Sequence, residues 1–362
     1  MSHTRRLIAV LGSLLLSAGI PGLARAQTPF DAAQGAQSPS RGAPVLELRQ
    51  SDTVVLVGNT LAERMQYFNH FETLLMLRFP DLQLRVRNLG WSGDALTLQP
   101  RPLNFGDASK HLQQQKADVI LAFFGASESF AGEAGLPQFE RDLETYLRTH
   151  GAATYNGKTP PRLALISPIA HETLPHLLHV DVVAHNRDLE RYTAAMRTVA
   201  TREKVPFVDL FTPSLAAMEK APAPLTDNGI HLNEAGDAVV GEMLMQGLGF
   251  MPPSTAVATG PKLRQIEALR SEIREKNQQF FYRWRPLNAE YVVGRRVEPF
   301  GSISFPPEMR QLEEIVTDFD NRIWKRAKAI GMTRFPPPAR PAGARGKPPA
   351  PEPKPPAVKR DK

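Results

Sequence analysis

The strongest constraint on the fold is a repeated alternation of short apolar runs with helix-forming segments. The run at 54–57 is four consecutive aliphatic residues, it ends at Gly58, and a helical pattern follows from 61 to about 79. Further strand-like runs lie at 82–87, 118–124, 162–167 and 206–210, and further helical segments at 136–149, 184–203 and 233–247. Continuous apolar runs are typical of strands buried on both faces. The alternation predicts a parallel sheet with helices on both faces, joined by right-handed crossovers.

The residues that follow these runs indicate where a site would form. Parallel strands end at the same edge of a sheet, so the strand ends at 58, 88–94, 125 and 167 should gather there. Thr60 follows Gly58 at the point where the first strand turns into a helix. Backbone N–H groups at a helix N-terminus can stabilise an anion. The alternative is structural, with Gly58 forming a tight turn and Thr60 capping the helix.

Composition and charge exclude several classes of site. The chain has no cysteine, which excludes disulfides and thiolate metal sites. Its net charge of +7 is concentrated at the ends, with +3 in residues 1–26 and +6 in residues 334–362. The remaining body therefore carries −2, which argues against a nucleic-acid partner.

The N-terminal residues have the pattern of a processing signal. Arg5 and Arg6 precede an apolar run at 7–20, and a small-x-small sequence at 24–26 forms a cleavage site. We expect a signal peptide at 1–26, with an uncleaved anchor as the alternative, and a flexible leader at 27–44. A secreted or periplasmic location without a transmembrane span in the mature chain follows from this prediction.

The C-terminal third differs from the alternating region at 45–250. Residues 255–333 contain two amphipathic helical patterns, at 263–282 and 306–330, and an aromatic, arginine-rich stretch at 280–288. We predict a helical extension packed on the first domain, with a partner-binding arm as the alternative. Residues 334–362 form a Pro-rich basic segment, predicted to be a disordered tail that could contact an acidic surface.

A histidine in a late loop adds to the candidate site. His231 lies in the segment 225–236, directly before the last helix of the alternating region. From there it can reach the sheet edge that holds Thr60. An acid or amide a few residues earlier, Asp227 or Asn228, can hold an imidazole in one tautomer. A lone histidine of this kind is more often structural, but the glycine-marked strand ends favour a functional one.

The order of four short blocks resembles the SGNH, or GDSL-like, hydrolase family. The blocks are Gly58-Asn59-Thr60-Leu61, Trp91-Ser92-Gly93-Asp94, Gly125-Ala126-Ser127-Glu128 and Asn228-Gly229-Ile230-His231. The resemblance covers roughly residues 50–250. It implies a flavodoxin-like three-layer α/β/α fold and esterase or acylhydrolase activity. No cofactor is implied, and the substrate would be a small-molecule or polysaccharide ester.

The resemblance also implies a role for each block residue. Thr60 stands in the place of the nucleophilic serine, and His231 in the place of the general base. Asn228 occupies the position of the aspartate that orients the histidine, and its carbonyl would accept the Nδ1 proton. Asp227, one residue earlier, is the other candidate for that role.

The remaining block residues imply the oxyanion and substrate-binding groups. The N–H groups of Thr60 and Gly93 would stabilise the oxyanion. Ser127, with its hydroxyl, replaces the usual oxyanion asparagine, and Asn59 and Glu128 are expected to line the same site.

Three departures from the family pattern leave two functions open. The first is a secreted ester hydrolase, whose substrate class could be an acetylated polysaccharide. The second is a degenerate relative that binds carbohydrate or serves as an envelope scaffold without cleaving anything. Apart from these two, a weaker possibility that does not depend on the site is a cell-envelope interaction protein that works mainly through residues 263–362.

Two other groups of residues have side chains that could carry chemistry. Four histidines follow the fourth strand, at His171, His176, His179 and His185. Their spacing matches no compact zinc pattern, so a surface or substrate-facing loop is favoured over a metal site. Ser92 and Ser167 also lie at strand ends, where turn or cap roles are favoured over a displaced nucleophile.

Overall fold

A five-stranded parallel sheet forms the centre of the protein in the computed structural model, which describes residues 45–176, 180–251 and 259–332. Its strands are β1 (Thr53–Gly58), β2 (Arg85–Asn88), β3 (Val119–Phe123), β4 (Arg162–Ile166) and β5 (Phe207–Val208). Their order in the sheet is β2-β1-β3-β4-β5. The predicted signal peptide, leader and tail lie outside the described residues.

The central position of β1 follows from its sequence. All six of its residues are buried, because helices cover both faces and β2 and β3 pair with its two edges. In the register with β3, Val54 lies opposite Val119 and Gly58 opposite Phe123. This strand order is that of the flavodoxin-like fold. The predicted fold class is therefore confirmed.

Helices cover both faces of the sheet. In the α/β region they are α1 (Thr60–Phe68), α2 (His70–Arg78), α3 (Ala108–Gln115), α4 (Gly132–Ala152), α5 (Val182–Glu203), α6 (Phe211–Lys220) and α7 (Glu234–Gly247). One apolar core joins α1, α2 and α7 to one face, and a second joins α3, α4 and α5 to the other. A short 3₁₀ turn at Glu128–Ala131 follows β3.

The helical pattern at 61–79 contains a break that the sequence did not indicate. Asn69 adopts a left-handed conformation with φ 64° and separates α1 from α2. Its backbone N–H donates to Met65 O at 3.0 Å, which closes the end of α1. Asparagine tolerates this conformation better than most residues, so the chain can turn here without glycine.

The C-terminal helices are α8 (Gly260–Trp284), α9 (Ala289–Val292) and α10 (Ser302–Ile330). Lys276 of α8 is fully buried and forms an ion pair with Glu72 of α2. Arg87 of β2 binds Asp320 of α10 through two hydrogen bonds, of 2.5 and 3.2 Å. Buried ion pairs therefore attach both long helices to the α/β body. No helix among the described residues has the length and apolar character that a bilayer span requires.

Candidate functional site

Thr60 is the first residue of α1, directly after the turn that ends β1. Gly58 has φ +117°, and a Cβ atom there would lie 2.0 Å from the carbonyl oxygen of Phe123, so only glycine fits. Asn59 is buried and caps the helix, its Oδ1 accepting the N–H of Leu61 at 3.1 Å. The Thr60 side chain is partly exposed and takes part in none of the side-chain hydrogen bonds among the described residues. Asn59 thus caps the helix, and the Thr60 hydroxyl remains unengaged.

The loops after β2 and β3 meet beside this turn. Ser127 Oγ donates to the carbonyl oxygen of Asp94 at 3.3 Å. The Glu128 carboxylate accepts the N–H groups of Leu96 at 2.9 Å and Gly125 at 2.8 Å. Burial raises the pKa of Glu128, while these N–H donors oppose the shift. Glu128 therefore ties the two loops together, and the Ser127 hydroxyl already has an acceptor.

Gly93 is exposed on the β2 loop. It has φ +83°, and a Cβ atom there would meet nothing within 4 Å. A left-handed conformation explains the glycine, and the open space leaves its surroundings free for a ligand. The structure thus brings Gly93, Ser127 and Glu128 to one edge of the sheet, next to the β1 turn.

Glu63 and Arg285, which sequence reasoning missed, hold the loop that follows β2. The Glu63 carboxylate accepts the N–H of Ser92 through one oxygen and Nη1 of Arg285 through the other, the latter at 2.9 Å. The Arg285 guanidinium also lies 3.5 Å from the centre of the Trp91 ring. Because Arg285 follows α8, the C-terminal region contributes directly to the positioning of this loop.

Asp94 forms a second buried charge pair in the same loop. Its carboxylate accepts two hydrogen bonds from Arg101, of 2.8 and 2.6 Å. Burial raises the pKa of Asp94, and the neighbouring guanidinium opposes that shift. The Arg101 guanidinium lies 4.2 Å from the Trp91 ring centre, so arginines from two segments contact one indole.

A small cavity lies next to Gly58 and Asp94 and is lined by aromatic side chains. Three residues of its lining, His111, Tyr146 and Trp284, each carry a buried polar side-chain atom with no hydrogen-bond partner among the described residues. Buried polar groups are nearly always hydrogen-bonded, so these three atoms are exceptions to that rule.

The loop that carries His231 is folded around Asn228. The Asn228 Oδ1 atom accepts the backbone N–H of His231 at 3.0 Å, and its Nδ2 lies 3.2 Å from His231 Nδ1. Asp227 pairs with Arg64 of α1 at 3.2 Å and does not contact the imidazole. Burial lowers the pKa of His231, helped by the charge of Arg64 and opposed by Asp227. The ring is therefore neutral at neutral pH.

Two features of this loop differ from the sequence-based expectation. The Asn228 oxygen already binds the backbone, so the amide NH₂ rather than the carbonyl faces Nδ1. His231 packs with Leu61, Arg64 and other α1 residues around a shallow cavity whose lining does not include Thr60. No hydrogen bond joins Thr60 to His231 among the described residues, although Thr60 begins α1 and His231 lines a cavity with other residues of that helix.

A buried glutamate in the segment that follows β4 fixes the position of the His231 loop. The Glu172 carboxylate accepts the N–H groups of Leu225 at 2.9 Å and Thr226 at 2.8 Å, together with the Thr226 hydroxyl. The backbone N–H of Glu172 donates to Gly229 O at 2.8 Å. Sequence reasoning missed Glu172, whose only available signal was its place after a strand.

The histidines after β4 do not form a metal site in the described part of the chain, which excludes His179. His171 and His185 contact each other through their Nδ1 atoms, 2.9 Å apart, while His176 is exposed. No group of three or more potential metal ligands occurs within 45–176, 180–251 and 259–332. Ser167 is buried, and its hydroxyl accepts the N–H of Leu210 at 2.8 Å, which is a structural role.

Several solved structures of enzymes resemble this chain. A gut microbial diltiazem-metabolizing enzyme is 13% identical, with TM-score 0.58, over 79% of this chain and 97% of that chain. An acetylxylan esterase from Geobacillus stearothermophilus is 16% identical, with TM-score 0.42, over 57% of this chain and 97% of that chain. An alpha/beta hydrolase from the metagenome of Lake Arreo, Spain, is 19% identical, with TM-score 0.43, over 56% and 98%. Only the likeness to the diltiazem-metabolizing enzyme has a TM-score above 0.5, and at 13% identity it shows the fold alone.

A family comparison gives the sharper result, although no curated protein sequence matches the chain significantly. The model of the GDSL-like lipase/acylhydrolase family matches residues 57–239. This range is more than half of the 362 residues, and it contains all four blocks on which the predicted resemblance depends. The chain therefore belongs to the GDSL-like lipase/acylhydrolase family of ester hydrolases.

Proposed function

We propose that the protein hydrolyses acyl esters by covalent catalysis, with the Thr60 hydroxyl as nucleophile and a histidine as general base. Thr60 Oγ1 attacks the ester carbonyl carbon, its proton passes to the imidazole, and the alcohol leaves with that proton. Water then attacks the acyl-threonine in the same way, which releases the carboxylic acid and restores the hydroxyl. His231 is the histidine that the family pattern assigns to the base.

The observation that carries this proposal is the position of Thr60. Its unengaged hydroxyl stands at the N-terminus of α1, where the free N–H groups of the first turn favour negative charge. The strands on either side of β1 are β2 and β3, and Gly93 and Ser127 lie in the loops that follow them. An oxyanion formed at Thr60 would therefore have the N–H groups of the first turn of α1 and the N–H of Gly93 as its candidate donors, since the Ser127 hydroxyl is engaged with Asp94 O.

The substrate class proposed is a carbohydrate ester, by analogy with the family. The signal peptide expected at 1–26 would deliver the enzyme to the periplasm or the medium, where acetylated polysaccharides occur.

The test compares the full-length protein with its Thr60→Ala and Thr60→Ser variants on p-nitrophenyl acetate and acetylated xylan. We expect Thr60→Ala to lower kcat/KM by about 10³-fold or more, since the nucleophile is lost. Thr60→Ser keeps a hydroxyl and removes the crowding methyl group, so it should match or exceed the wild type. A fluorophosphonate probe should label residue 60, as located by mass spectrometry. Equal activity of wild type and Thr60→Ala would refute the assignment.

A second function, carbohydrate binding without cleavage, is favoured by one specific observation. The Thr60 hydroxyl has no base within hydrogen-bond distance in the described structure, and Asn228 presents an NH₂ group to His231. This function predicts that wild type and Thr60→Ala bind acetylated xylan equally, as measured by calorimetry, and that neither releases acetate.

A further inference from the structure

One arginine of α1 contacts the loop that carries His231 at two points. Arg64 Nη2 donates a hydrogen bond to Asp227 Oδ2 at 3.2 Å and another to the carbonyl oxygen of Leu232 at 3.3 Å. Asp227 precedes His231 in the loop, and Leu232 follows it directly. The guanidinium therefore binds the segment on both sides of the histidine.

The two contact points lie at the base of a small closed loop. Thr226 and Leu232 form an antiparallel bridge, and the backbone N–H of Asp227 donates to His231 O at 2.8 Å. Because the backbone is closed at this point, residues 227–232 move together. A contact that fixes the base of the loop therefore also fixes the position of the imidazole.

The arginine lies on the same helix as the proposed nucleophile. Thr60 and Arg64 are four positions apart in α1, so they are neighbours on the helix surface, about 6 Å apart along its axis. Leu61 and Arg64 also line the shallow cavity that includes His231. The side chain that binds the histidine loop thus stands one helical turn from the hydroxyl that the histidine would deprotonate.

The two contacts of the guanidinium differ in strength. The Asp227 side chain is 59% exposed, against 24% for Arg64, and exposed ion pairs contribute little. The hydrogen bond to the Leu232 carbonyl is partly buried and is therefore the stronger anchor. The guanidinium carbon also lies 5.4 Å from the centre of the Tyr67 ring, which restricts the rotation of the arginine side chain.

The charge of Arg64 also acts on the imidazole. Burial lowers the pKa of His231, the Arg64 charge lowers it further, and Asp227 raises it. Asp237 of α7 lines the same cavity, and burial raises its pKa to about 7. A general base must be neutral to accept a proton, so the arginine favours the reactive form of the ring at neutral pH.

We propose that Arg64 is a positioning residue for the general base, because it attaches the His231 loop to the helix that begins with Thr60; this inference rests on the proposed ester hydrolysis. Arg64 transfers no proton, since an arginine stays charged, and it acts only through His231. No hydrogen bond joins Thr60 to His231 directly among the described residues. The approach of the imidazole to the hydroxyl therefore depends on how the loop is attached to α1.

The first test measures kcat of the full-length protein on p-nitrophenyl acetate. Arg64→Met should lower kcat about 10- to 100-fold, because a displaced base loses its alignment with the hydroxyl. Arg64→Lys keeps the charge but lacks the planar fork, so it should recover only part of the loss. Arg148→Met is the matched control, since this arginine is 63% exposed and pairs with Glu203 at 3.0 Å; its kcat should equal that of the wild type. A wild-type kcat in Arg64→Met would overturn the proposal.

The pH profile of kcat/KM separates a positioning role from a general loss of structure. Arg64→Met removes a positive charge that lowers the pKa of His231, so the acid limb should move to higher pH. Asp227→Asn removes the negative charge that opposes it, so the acid limb should move to lower pH. A general loosening of the loop would expose the imidazole to water and raise its pKa in both variants. Shifts of the acid limb in the same direction would therefore overturn the proposal.

An NMR titration decides the inference independently of turnover. The ring C–H resonances of His231 are followed against pH in the full-length protein and are identified by their absence in His231→Gln. The pKa of His231 should rise in Arg64→Met and fall in Asp227→Asn. Equal values in the wild type and Arg64→Met would overturn the proposal. An inactive wild type with the expected opposite shifts would refute the ester hydrolysis and leave the attachment of the loop to Arg64 established.

Discussion

The ion pair between Lys276 and Glu72 gives the sharpest stability prediction. The Lys276 side chain is 0% exposed and that of Glu72 5%, and Lys276 Nζ also donates to Val86 O at 3.2 Å. Lys276→Met keeps an unbranched side chain that is one atom shorter, and it leaves the carboxylate with the Asn277 amide as its remaining hydrogen-bond partner, at 2.8 Å. Removing one member of a buried pair costs about 3–5 kcal/mol, because the other charge is left uncompensated.

The assay is urea unfolding followed by far-UV circular dichroism. With a slope of about 3 kcal/mol per molar urea, the midpoint should fall by roughly 1–1.7 M. Lys276→Met combined with Glu72→Met removes both charges and should recover most of the loss. Arg326→Met is the surface control, since that arginine pairs with Glu272 while 46% exposed, and it should cost less than about 1 kcal/mol. A midpoint shift for Lys276→Met no larger than this control would refute the reasoning.

Three further predictions concern the β1 turn, the β2 loop and the pH dependence of stability. Gly58→Ala should lower the free energy of unfolding by more than about 3 kcal/mol or prevent folding, since its Cβ would lie 2.0 Å from a carbonyl oxygen. Gly157→Ala is the control: with φ +73° and open space around it, it should cost about 1 kcal/mol in the same urea assay. Arg285→Gln should lower kcat on p-nitrophenyl acetate about tenfold with little change in KM, because the loop loses a support 2.9 Å from its glutamate anchor; an unchanged kcat would contradict this. Burial raises the pKa of Asp237 from 3.8 to about 7, so this group lowers stability as pH rises through that interval, by up to about 4 kcal/mol. Asp237→Asn removes this contribution. The urea midpoint of the variant should then rise between about pH 4 and 6.5, because burial lowers the pKa of His70 to about 4 and protonation of this histidine in acid favours unfolding. A pH profile of the midpoint identical to that of the wild type would contradict both assignments.

The sheet could be predicted because its strands are short apolar runs with clear ends. Four of the five strands lie inside the predicted ranges or differ from them by one residue, and the common edge follows from parallel pairing. The break at Asn69 was missed because the apolar pattern continues across it. Helix α6 was missed because Pro213 is typical of a loop, although proline is tolerated in the first turn of a helix, where Pro213 lies.

The location of candidate-site residues was predictable where they follow a strand. Thr60, Gly93 and Ser127 lie after β1, β2 and β3 as expected, while their roles remain a prediction. The orientation of the side chains was not predictable. The direction of the Asn228 amide, for example, depends on a hydrogen bond to the backbone of its own loop. The contact between Glu63 and Arg285 joins residues 222 positions apart, and no local pattern encodes such a pair.

The three tryptophans of the chain all lie where the C-terminal helices meet the α/β body. Trp91 and Trp284 pack edge to face with centroids 5.7 Å apart, and Trp324 Nε1 donates to Leu84 O at 2.8 Å. Intrinsic tryptophan fluorescence will therefore report almost entirely on the contact between the C-terminal helices and the α/β body, whereas circular dichroism averages over every helix. If the thermal unfolding curves measured by fluorescence and by circular dichroism differ, α8 and α10 detach before the sheet unfolds.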